Sequence, residues 1–581
     1  MRDKFSRVDK RTILLLLLIM AAALLVRSYG LNFPRYHWDE NIGFTNVFSA
    51  SYLHLRLLTY DHGSLYPYLI LILWDMYLLF TGTIPTTYNL IYGFFINAQP
   101  FLLLARGFIV IVSTATIWIV FLLARQLYNR KVGLFSAFFL AFTFLHAAES
   151  HYARSHVLAG FFILLASLFC ARIMENGKLR DYVLAGTNIG LATAAQYSAI
   201  LGIVTLLIAH ILHIWKTKEQ NWKSILFDRN LILGLDISAL TFFLVTPYAL
   251  IDFRQYASQM KWFLTKVVTT LWISPEGKPV WLFYLTEHLR NGMGTPLALL
   301  AIIGIIYALI RHKKQDVLLV IFPLLLYVSL WKGENFARYL IPILPFLTIF
   351  AGRLLDELIT LLNQKFPTRW VNAIIGLVVL GLISQSFLNI IRFDFWLTQP
   401  DTRSIATKWF IEKIPMGNQI ILEGADTLGP TLPLNGLELS QELEKLPPNS
   451  LGYVYTQALR DAQPYTSGYR ATSVFSLDEV RESGQLVGNV ESASYYFDSG
   501  IEYLVTSSWM QRDTSDTYSQ TFQESLDGYY EQIAIFEPSI QFRFDPYAWR
   551  VDYQALEKII PFQSGIGGPL LIVYKRKGND H

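Results

Sequence analysis

Long apolar runs separated by short polar stretches fill the chain up to residue 391. The first run covers residues 12–29, and each run is near the length of about 20 residues that a helix needs to cross a membrane. Because lipid offers the backbone no hydrogen-bonding partner, such runs are expected to be helical. The pattern predicts a polytopic α-helical membrane protein with eleven transmembrane helices. The ten later spans are predicted at 101–124, 133–148, 156–174, 181–196, 199–215, 231–250, 294–311, 317–331, 339–353 and 371–391.

Composition supports this class. The 581 residues are 53% hydrophobic and only 16% charged, whereas soluble domains carry about 25% charged residues. The charges that are present lie between the apolar runs, so an integral membrane protein surrounded by membrane lipids is expected.

The distribution of basic residues predicts the orientation of the spans. Lys and Arg concentrate in every second loop, as they do on the cytoplasmic side of membrane proteins. We therefore expect a cytoplasmic N-terminus, an extracytoplasmic C-terminal region and a first span that is retained rather than cleaved as a signal peptide. The net charge of +4 follows from this arrangement and indicates no nucleic-acid partner. The basic loops are RQLYNRK, ENGKLRD, WKTKEQNWKSILFDRN, RHKKQD and residues 353–369.

The chain changes character near residue 392, where long apolar runs stop and Pro, Ser, Gly and Asp become frequent. Strand-like segments alternate there with helical patterns, which predicts an extracytoplasmic α/β domain over 392–581 behind a membrane domain over 1–391. The only cysteine, Cys170, lies in a span, so the outer domain has no disulfide and a bacterial or archaeal cell membrane is favoured. The predicted strands are NQIILEG, LGYVYTQ, EYLVTSS, EQIAIF and PLLIVYKR, and the predicted helices are RSIATKWFIEKI and SLDEVRES.

The candidate chemistry lies in the loops on the outer side. The first of them, 31–100, contains two stretches expected to form helices at the membrane surface and the adjacent carboxylates Asp39 and Glu40. A carboxylate can accept the proton of an attacking hydroxyl group, and arginine binds phosphate in a bidentate manner. Both kinds of group at one membrane face suit sugar transfer from a polyprenyl phosphate. The other candidates are Asp61, His62, Glu149, His151, Arg154, His156, Arg338 and Tyr339.

Simpler interpretations exist for each of these residues. Asp39 and Glu40 would suit the first turn of a helix that begins near Trp38. Arg338 would suit an arginine that reaches toward lipid headgroups. A single histidine such as His151 is more often a satisfied interfacial residue than a ligand. Glu149 and His151, with a carboxylate from elsewhere, could hold a divalent cation, but their spacing is far from a metal signature.

Six short stretches of the membrane region and three of the outer domain resemble, in this order, the polyprenyl-phosphate-dependent glycosyltransferases of the GT-C superfamily. That superfamily includes the protein O-mannosyltransferases and the aminoarabinose transferase that modifies lipid A. Order and spacing together carry the resemblance, because each stretch is short. They are HWDENIGF, HGSLYPYL, LHAAESHYARSHVLAGFFILLASL, AAQYSAIL, TPYALIDF, ENFARYLIPILPFL, DTRSIATKWFIEKIP, GIEYLVTSSW and GGPLLIVYKRK.

The resemblance implies roles for particular residues. Asp39 and Glu40 match the catalytic carboxylate pair, and Asp39 is favoured as the general base. Arg338, with Tyr339 beside it, matches the position expected at the lipid phosphate, and Arg154 is a second candidate. The implied donor is a polyprenyl-phosphate-linked sugar, the acceptor is a protein, lipid or glycan, and direct attack inverts the anomeric centre. A requirement for a divalent metal cation stays open.

The sequence departs from its relatives in three respects. Relatives often carry an aspartate near the position of His156, loop 251–293 has no large insertion, and no WWDYG stretch of an oligosaccharyltransferase occurs. The main alternative function is a transporter or flippase of lipid-linked sugars, which would use charges within the membrane and two matching halves. A catalytically inactive member that binds glycan or protein is a third possibility.

Overall fold

A computed structural model describes residues 9–33, 38–60, 62–215, 227–269, 279–331, 336–423, 429–463, 468–475, 488–489, 493–509, 526–540 and 553–578. The chain divides into two compact units. The first unit comprises residues 1–31, 42–73 and 103–394, and the second comprises 32–41, 74–102 and 395–581. The long segment of the second unit begins near the boundary predicted from composition, and two pieces of the first outer loop join it.

The regular structure of the described residues between 9 and 397 consists of helices. Those up to residue 269 are α1 Lys10–Ser28, α2 Trp38–Tyr52, α3 Leu65–Phe80, α4 Thr87–Ile96, α5 Ala98–Leu127, α6 Arg130–Ala141, α7 Phe144–Glu149, α8 Ser155–Asn176, α9 Leu179–Ala195, α10 Gly202–Ile214, α11 Arg229–Val245, α12 Tyr248–Ile251 and α13 Phe253–Thr269. They are followed by α14 Val280–Phe283, α15 Arg290–Met293, α16 Thr295–Arg311, α17 Lys314–Ser329, α18 Leu344–Asn363 and α19 Thr368–Leu397. Two 3₁₀ segments, Tyr197–Leu201 and Ala337–Leu340, and a π-helical turn, Tyr284–Leu289, lie between them.

Five of the described helical segments are long and apolar enough to cross a membrane, which fits a multi-pass membrane protein. They are Lys10–Ser28, Ala98–Leu127, Ser155–Asn176, Tyr197–Ile214 and Thr368–Leu397, and the bent pair Val280–Met293 with Thr295–Arg311 makes a sixth if it is one span. The other predicted spans coincide with helices that are shorter or more polar. The number eleven therefore stays a prediction, as does the orientation.

Small residues allow the helices of the first unit to approach closely. A Cβ atom added at Gly186 of α9 would lie only 2.1 Å from the carbonyl oxygen of Gly234 in α11. Such backbone-to-backbone packing is typical of helices in membranes, where apolar side chains gain little by leaving lipid. A side chain at Gly186 would force these two helices apart.

A six-stranded sheet forms the centre of the second unit. Its order is β3-β2-β1-β4-β6-β5, with parallel pairing from β3 to β4 and antiparallel pairing of β6 with β4 and β5. Buried side chains on one face, among them Phe410, Ile420 and Val505, form its core. The elements are α20 Thr402–Lys413, β1 Gln419–Glu423, α21 Gly436–Lys445, α22 Leu451–Ala462, β2 Arg470–Phe475, β3 Gly488–Asn489, α23 Ala493–Asp498, β4 Tyr503–Ser507, β5 Tyr530–Phe536, α24 Tyr553–Glu557 and β6 Leu571–Arg576.

Most of the predicted elements of the outer domain are confirmed. NQIILEG, EYLVTSS, EQIAIF and PLLIVYKR contain β1, β4, β5 and β6, and RSIATKWFIEKI forms α20. The prediction of a strand at LGYVYTQ is wrong, because this stretch opens α22. The hydroxyl of Ser450 caps that helix by accepting from the Tyr453 N–H at 3.1 Å. SLDEVRES lies outside the described residues.

Part of the first outer loop belongs to the second unit. The Tyr88 hydroxyl of α4 donates a hydrogen bond of 2.8 Å to Asp461 at the end of α22. Burial first, and the hydrogen bond to Asp461 second, raise the pKa of Tyr88 to about 12, so its hydroxyl keeps its proton. The ring of Phe95 packs edge-on against Tyr455 at 5.1 Å. The helices expected at the two aromatic stretches of this loop are present as α3 and α4, and their depth in a membrane stays a prediction.

Candidate functional site

The turn between α7 and α8 brings a carboxylate and a guanidinium together. α7 ends at Glu149, and α8 begins at Ser155. Arg154 Nη1 donates to Glu149 Oε2 at 3.3 Å, and the Arg154 guanidinium lies 4.6 Å from the ring centre of Tyr152. Arg154 and Glu149 are both buried. A buried charge is stable only when it is paired, so this ion pair fixes the turn.

A second buried arginine lies in the 3₁₀ segment before α18. The Arg338 guanidinium is 3.9 Å from the ring centre of Phe336 and 5.6 Å from that of Tyr339. The Phe336 N–H donates to the hydroxyl oxygen of Tyr284 at 3.1 Å. Tyr284 is fully buried and belongs to the π-helical turn. The π-helical turn thus holds the backbone from which Arg338 projects.

These two segments meet, although they are far apart in the sequence. The rings of His156 and Tyr339 lie 5.6 Å apart. A Cβ atom at Gly160 would lie 3.3 Å from Pro342 Cα, so a side chain there would press on the segment that follows Arg338. We call residues 149–156 and 336–340 together the arginine junction. It contains two guanidinium groups, one carboxylate, two imidazoles and two phenols.

His151 belongs to this stretch of sequence but makes different contacts. Its Nδ1 lies 3.0 Å from the Ala147 carbonyl oxygen and its Nε2 lies 3.1 Å from the Tyr29 carbonyl oxygen. Asp394 Oδ1 is 3.5 Å from Nε2. Burial, as the largest cause, lowers the pKa of His151 to about 4. The neutral imidazole donates to one of these two carbonyl oxygens, which favours a histidine that is held by the fold over a ligand of an external group.

A third buried arginine, Arg27, contacts the helices that lead into the arginine junction. Arg27 Nε donates to Ser113 Oγ at 2.9 Å, and its Nη1 donates to the Ala141 carbonyl oxygen at 2.8 Å. Its Nη2 reaches the Leu140 carbonyl oxygen at 3.2 Å and His146 Nδ1 at 3.3 Å. These contacts hold the end of α6 and the helix α7 that leads to Glu149. No pattern in the sequence singles out Arg27.

The acidic pair lies in the first turn of a helix, as the sequence predicts. α2 begins at Trp38, so Asp39 and Glu40 occupy its first turn. Glu40 is fully buried. The side chain of Asp39 and the whole of Asp61 lie outside the described residues. Glu40 belongs to the second unit, whereas the arginine junction belongs to the first.

His62 is half-buried and precedes a point of close packing. A Cβ atom at Gly63 would lie 2.1 Å from the Ala194 carbonyl oxygen, so only glycine fits there. Ser64 Oγ continues the contact with a hydrogen bond of 2.9 Å to the Val245 carbonyl oxygen. The segment after His62 is therefore held against the ends of α9 and α11.

Metal ligation finds no support among the residues that the structure covers. No group of three or more His, Cys, Asp or Glu side chains there could hold a metal ion. The question of a divalent cation, which the sequence leaves open, is not answered by these residues.

Sequence reasoning missed the aromatic side chains that support the arginines. The rings of Tyr152 and Phe336 lie against the guanidinium groups of Arg154 and Arg338, and the Tyr284 hydroxyl accepts from the Phe336 N–H. Aromatic residues are common throughout this chain, so a ring two residues before an arginine did not stand out. A π-helical turn often marks a functional site, but its sequence YLTEHL has no pattern that distinguishes it from an α-helix.

One family model matches the chain. It describes dolichyl-phosphate-mannose-protein mannosyltransferases and covers residues 102–234, a range that contains one of the two segments of the arginine junction. No curated protein matches the chain.

Solved structures match over nearly the whole chain at low sequence identity. The apo oligosaccharyltransferase of Archaeoglobus fulgidus is 12% identical with a TM-score of 0.52, over 97% of this chain and 88% of that one. AglB of the same organism, in complex with an inhibitory peptide and a dolichol-phosphate, is 12% identical with a TM-score of 0.52, over 98% of this chain and 89% of that one. ArnT from Cupriavidus metallidurans, bound to undecaprenyl phosphate, is 12% identical with a TM-score of 0.51, over 96% of this chain and 97% of that one. The chain is thus similar to the dolichyl-phosphate-mannose-protein mannosyltransferases over residues 102–234, and it shares its fold with the archaeal oligosaccharyltransferase and with ArnT.

Proposed function

We propose that the chain is a membrane glycosyltransferase. It moves a sugar from a polyprenyl-monophosphate carrier to a hydroxyl group of a protein, lipid or glycan acceptor on the outer face of the membrane. The reaction inverts the anomeric centre, because the acceptor oxygen attacks the sugar directly from the side opposite the phosphate.

The arginine junction is the observation that carries this proposal. Arg154 and Arg338 are buried guanidinium groups on segments that meet through His156 and Tyr339. Guanidinium groups bind phosphate in a bidentate manner and keep their charge at any physiological pH. A phosphate at the junction would also be shielded from water, which strengthens its attraction to both cations.

Two proteins with this fold support the choice of a lipid phosphate. AglB was crystallised with a dolichol-phosphate and an inhibitory peptide, and ArnT was crystallised with undecaprenyl phosphate. Both ligands are polyprenyl monophosphates, and one complex also holds a peptide. Neither complex identifies the sugar or the acceptor of this chain.

The proposed step balances without an added reagent. The acceptor oxygen forms a bond to the anomeric carbon while the bond from that carbon to the phosphate oxygen breaks. The polyprenyl phosphate leaves with the electron pair, and Arg338 and Arg154 stabilise its developing charge. The acceptor proton passes to a carboxylate, for which Asp39 is the proposed base.

The other two carboxylates have different proposed roles. Successive side chains on a helix point about 100° apart, so Asp39 and Glu40 do not both face one hydroxyl group. Glu40 is fully buried, which suits a carboxylate that holds the start of α2. Glu149 is paired with Arg154 and orients that guanidinium.

The test uses the purified full-length protein in lipid nanodiscs with a panel of polyprenyl-phosphate sugars, and it measures release of polyprenyl phosphate. Asp39→Asn is expected to lower turnover by about 10²–10⁴-fold, the usual contribution of a general base. Its binding of polyprenyl phosphate should be unchanged, because the base contacts the acceptor. Glu444→Gln, at an exposed position of α21, is the matched control.

Three outcomes would contradict the proposal. The first is that the wild type consumes no donor of the panel. The second is that Asp39→Asn and Glu40→Gln both keep full turnover. Alternatively, the donor crosses the bilayer of a proteoliposome unconsumed, which would indicate a flippase. Glu149→Gln with a larger loss than Asp39→Asn would move the base to the arginine junction.

A further inference from the structure

Helix α13 contacts the rest of the first unit through polar side chains. Arg56 donates to Asp252 Oδ2 at 2.6 Å and also to the side-chain oxygen of Gln255. The Tyr60 N–H donates to Gln259 Oε1 at 2.7 Å. Gln255 and Gln259 are four residues apart and therefore share one side of the helix. This side is fixed to residues 56–60.

The opposite side of α13 is apolar and exposed. Phe253, Ala257, Met260 and Leu264 follow the spacing i, i+4, i+7 and i+11, which forms one stripe along a helix. Phe253 is 66% exposed and Leu264 is 54% exposed. They line an open groove of about 710 Å³ together with Tyr256, Lys261 and Thr265.

This arrangement is the reverse of that expected in water. A helix on a water-exposed surface buries its apolar stripe and exposes its polar side. α13 instead directs glutamines inward and large apolar side chains outward. An apolar stripe that faces outward indicates that an apolar medium covers it.

Two basic side chains border the apolar stripe. Arg254 and Lys261 are seven residues apart, about two helical turns, so they lie on nearly the same side. Both are exposed, and the sequence of α13 contains no acidic residue. Trp262, 44% exposed, is a residue type that is enriched where membrane meets water. A basic row beside an apolar stripe is typical of helices that lie on membranes with anionic lipids.

We propose that α13 is a docking site for an anionic phospholipid. The acyl chains lie along the stripe from Phe253 to Leu264, and the phosphate binds Arg254 and Lys261. α13 begins shortly after the predicted span 231–250, which brings its start to the membrane boundary. The proposal is independent of the sugar-transfer reaction, because none of these residues belongs to the arginine junction or the acidic pair.

Charge gives the site a preference for one headgroup class. Two basic residues near a membrane surface favour an anionic over a zwitterionic lipid by about 30-fold in affinity. The apolar stripe contributes equally to both classes, because their acyl chains are the same. Loss of the cations should therefore remove the preference, whereas loss of the stripe should weaken both lipids.

The experiment equilibrates the full-length protein in detergent with equal amounts of phosphatidylglycerol and phosphatidylcholine and counts retained lipids by native mass spectrometry. The wild type should retain phosphatidylglycerol in preference, and the double variant Arg254→Gln/Lys261→Gln should lose that preference. Lys408→Gln/Lys413→Gln removes two exposed cations from α20 and should keep it. Equal retention by the wild type, or an unchanged preference in the α13 variant, would overturn the proposal.

A measurement on the wild type alone tests the proposal even if the double variant fails to fold. Backbone hydrogen exchange over 253–265 is followed in nanodiscs of phosphatidylcholine alone or mixed with phosphatidylglycerol. Docking predicts slower exchange in the anionic nanodiscs, with α20 unchanged as the internal reference. The same exchange rate in both lipids would contradict the site.

Discussion

Two buried arginines of the first unit hold their guanidinium groups in different ways. Arg27 donates hydrogen bonds to the carbonyl oxygens of Leu140 and Ala141 and to Ser113 Oγ. Arg338 instead lies against the rings of Phe336 and Tyr339. Both are almost inaccessible to water, so burial alone does not distinguish them.

The two arginines differ in the kind of group that holds the guanidinium in place. A carbonyl oxygen accepts an N–H along a defined direction, so several of them fix a guanidinium in one position. A ring attracts the cation through its face, and this contact uses none of the N–H groups. The contacts of Arg27 assign it to the fold, whereas the role of Arg338 at the donor phosphate stays a proposal.

Arg27→Gln should produce the largest effect, and it should appear in stability. Glutamine cannot replace the three-way contact with α6, Ser113 and His146, so buried acceptors lose their partner. Breaking such a buried charged contact costs about 3–5 kcal/mol. Thermal unfolding in detergent should show a lower midpoint, with Arg369→Gln, an exposed arginine, as the control. Normal stability with abolished transfer would reverse the assignment of Arg27.

Arg338→Ala should show the opposite behaviour, with the fold retained and use of the donor weakened. A charge-assisted hydrogen bond contributes about 1.5–3 kcal/mol, which corresponds to a loss of about 10–150-fold in kcat/KM. Arg338→Lys should recover only part of it, because an ammonium group cannot bind phosphate in a bidentate manner. Steady-state kinetics with varied donor measures both variants. Unchanged donor affinity in Arg338→Ala would reject the phosphate role.

Acidification should reveal the network around Arg27 by a smaller effect. His151 has a pKa of about 4 in the fold against an ordinary 6.5, chiefly because it is buried, with Arg27 and Arg106 adding to the shift. Below pH 6.5 the unfolded chain binds a proton that the folded chain does not. The contribution of His151 to stability is therefore constant above pH 6.5 and falls from there toward pH 4, by about 2 kcal/mol near pH 5.

Thermal midpoints across this pH range measure that loss. His151→Gln removes one titrating group. The slope of its unfolding free energy against pH should therefore be smaller than that of the wild type by the equivalent of about one proton. Equal slopes in the two proteins would show that the His151 imidazole is charged in the fold. That result would also weaken the contrast between the two arginine clusters.

The sequence predicted elements well where one local signal sufficed. The apolar runs at β1, β4 and β6 are flanked by polar stretches, and all three are strands. LGYVYTQ failed because a window of seven residues showed its aromatic and β-branched content but not its helical continuation. Leu451, Tyr455 and Ala458 recur at helical spacing, and this repeat becomes visible only over the twelve residues of α22.

The candidate site was predicted as a set of residues and not as an arrangement. Arg154 and Arg338 stood out because charges are expensive beside a membrane. Their association through His156 and Tyr339 could not be predicted, because no periodicity links segments so far apart. The supporting rings were missed because aromatic residues are common throughout this chain. The carboxylate pair was found by its resemblance to relatives, and its relation to the arginines stays a prediction.

The hydrogen bond from Tyr88 to Asp461 has a consequence for the synthesis of the chain. The two residues are 373 positions apart, so α4 leaves the ribosome long before its partner α22 exists. At about 5–20 residues per second this interval lasts about 20–75 s. During that time the aromatic side of α4, with Phe95, has no protein surface to cover it. The nascent first loop thus depends on the membrane surface or a chaperone until α22 has been translated.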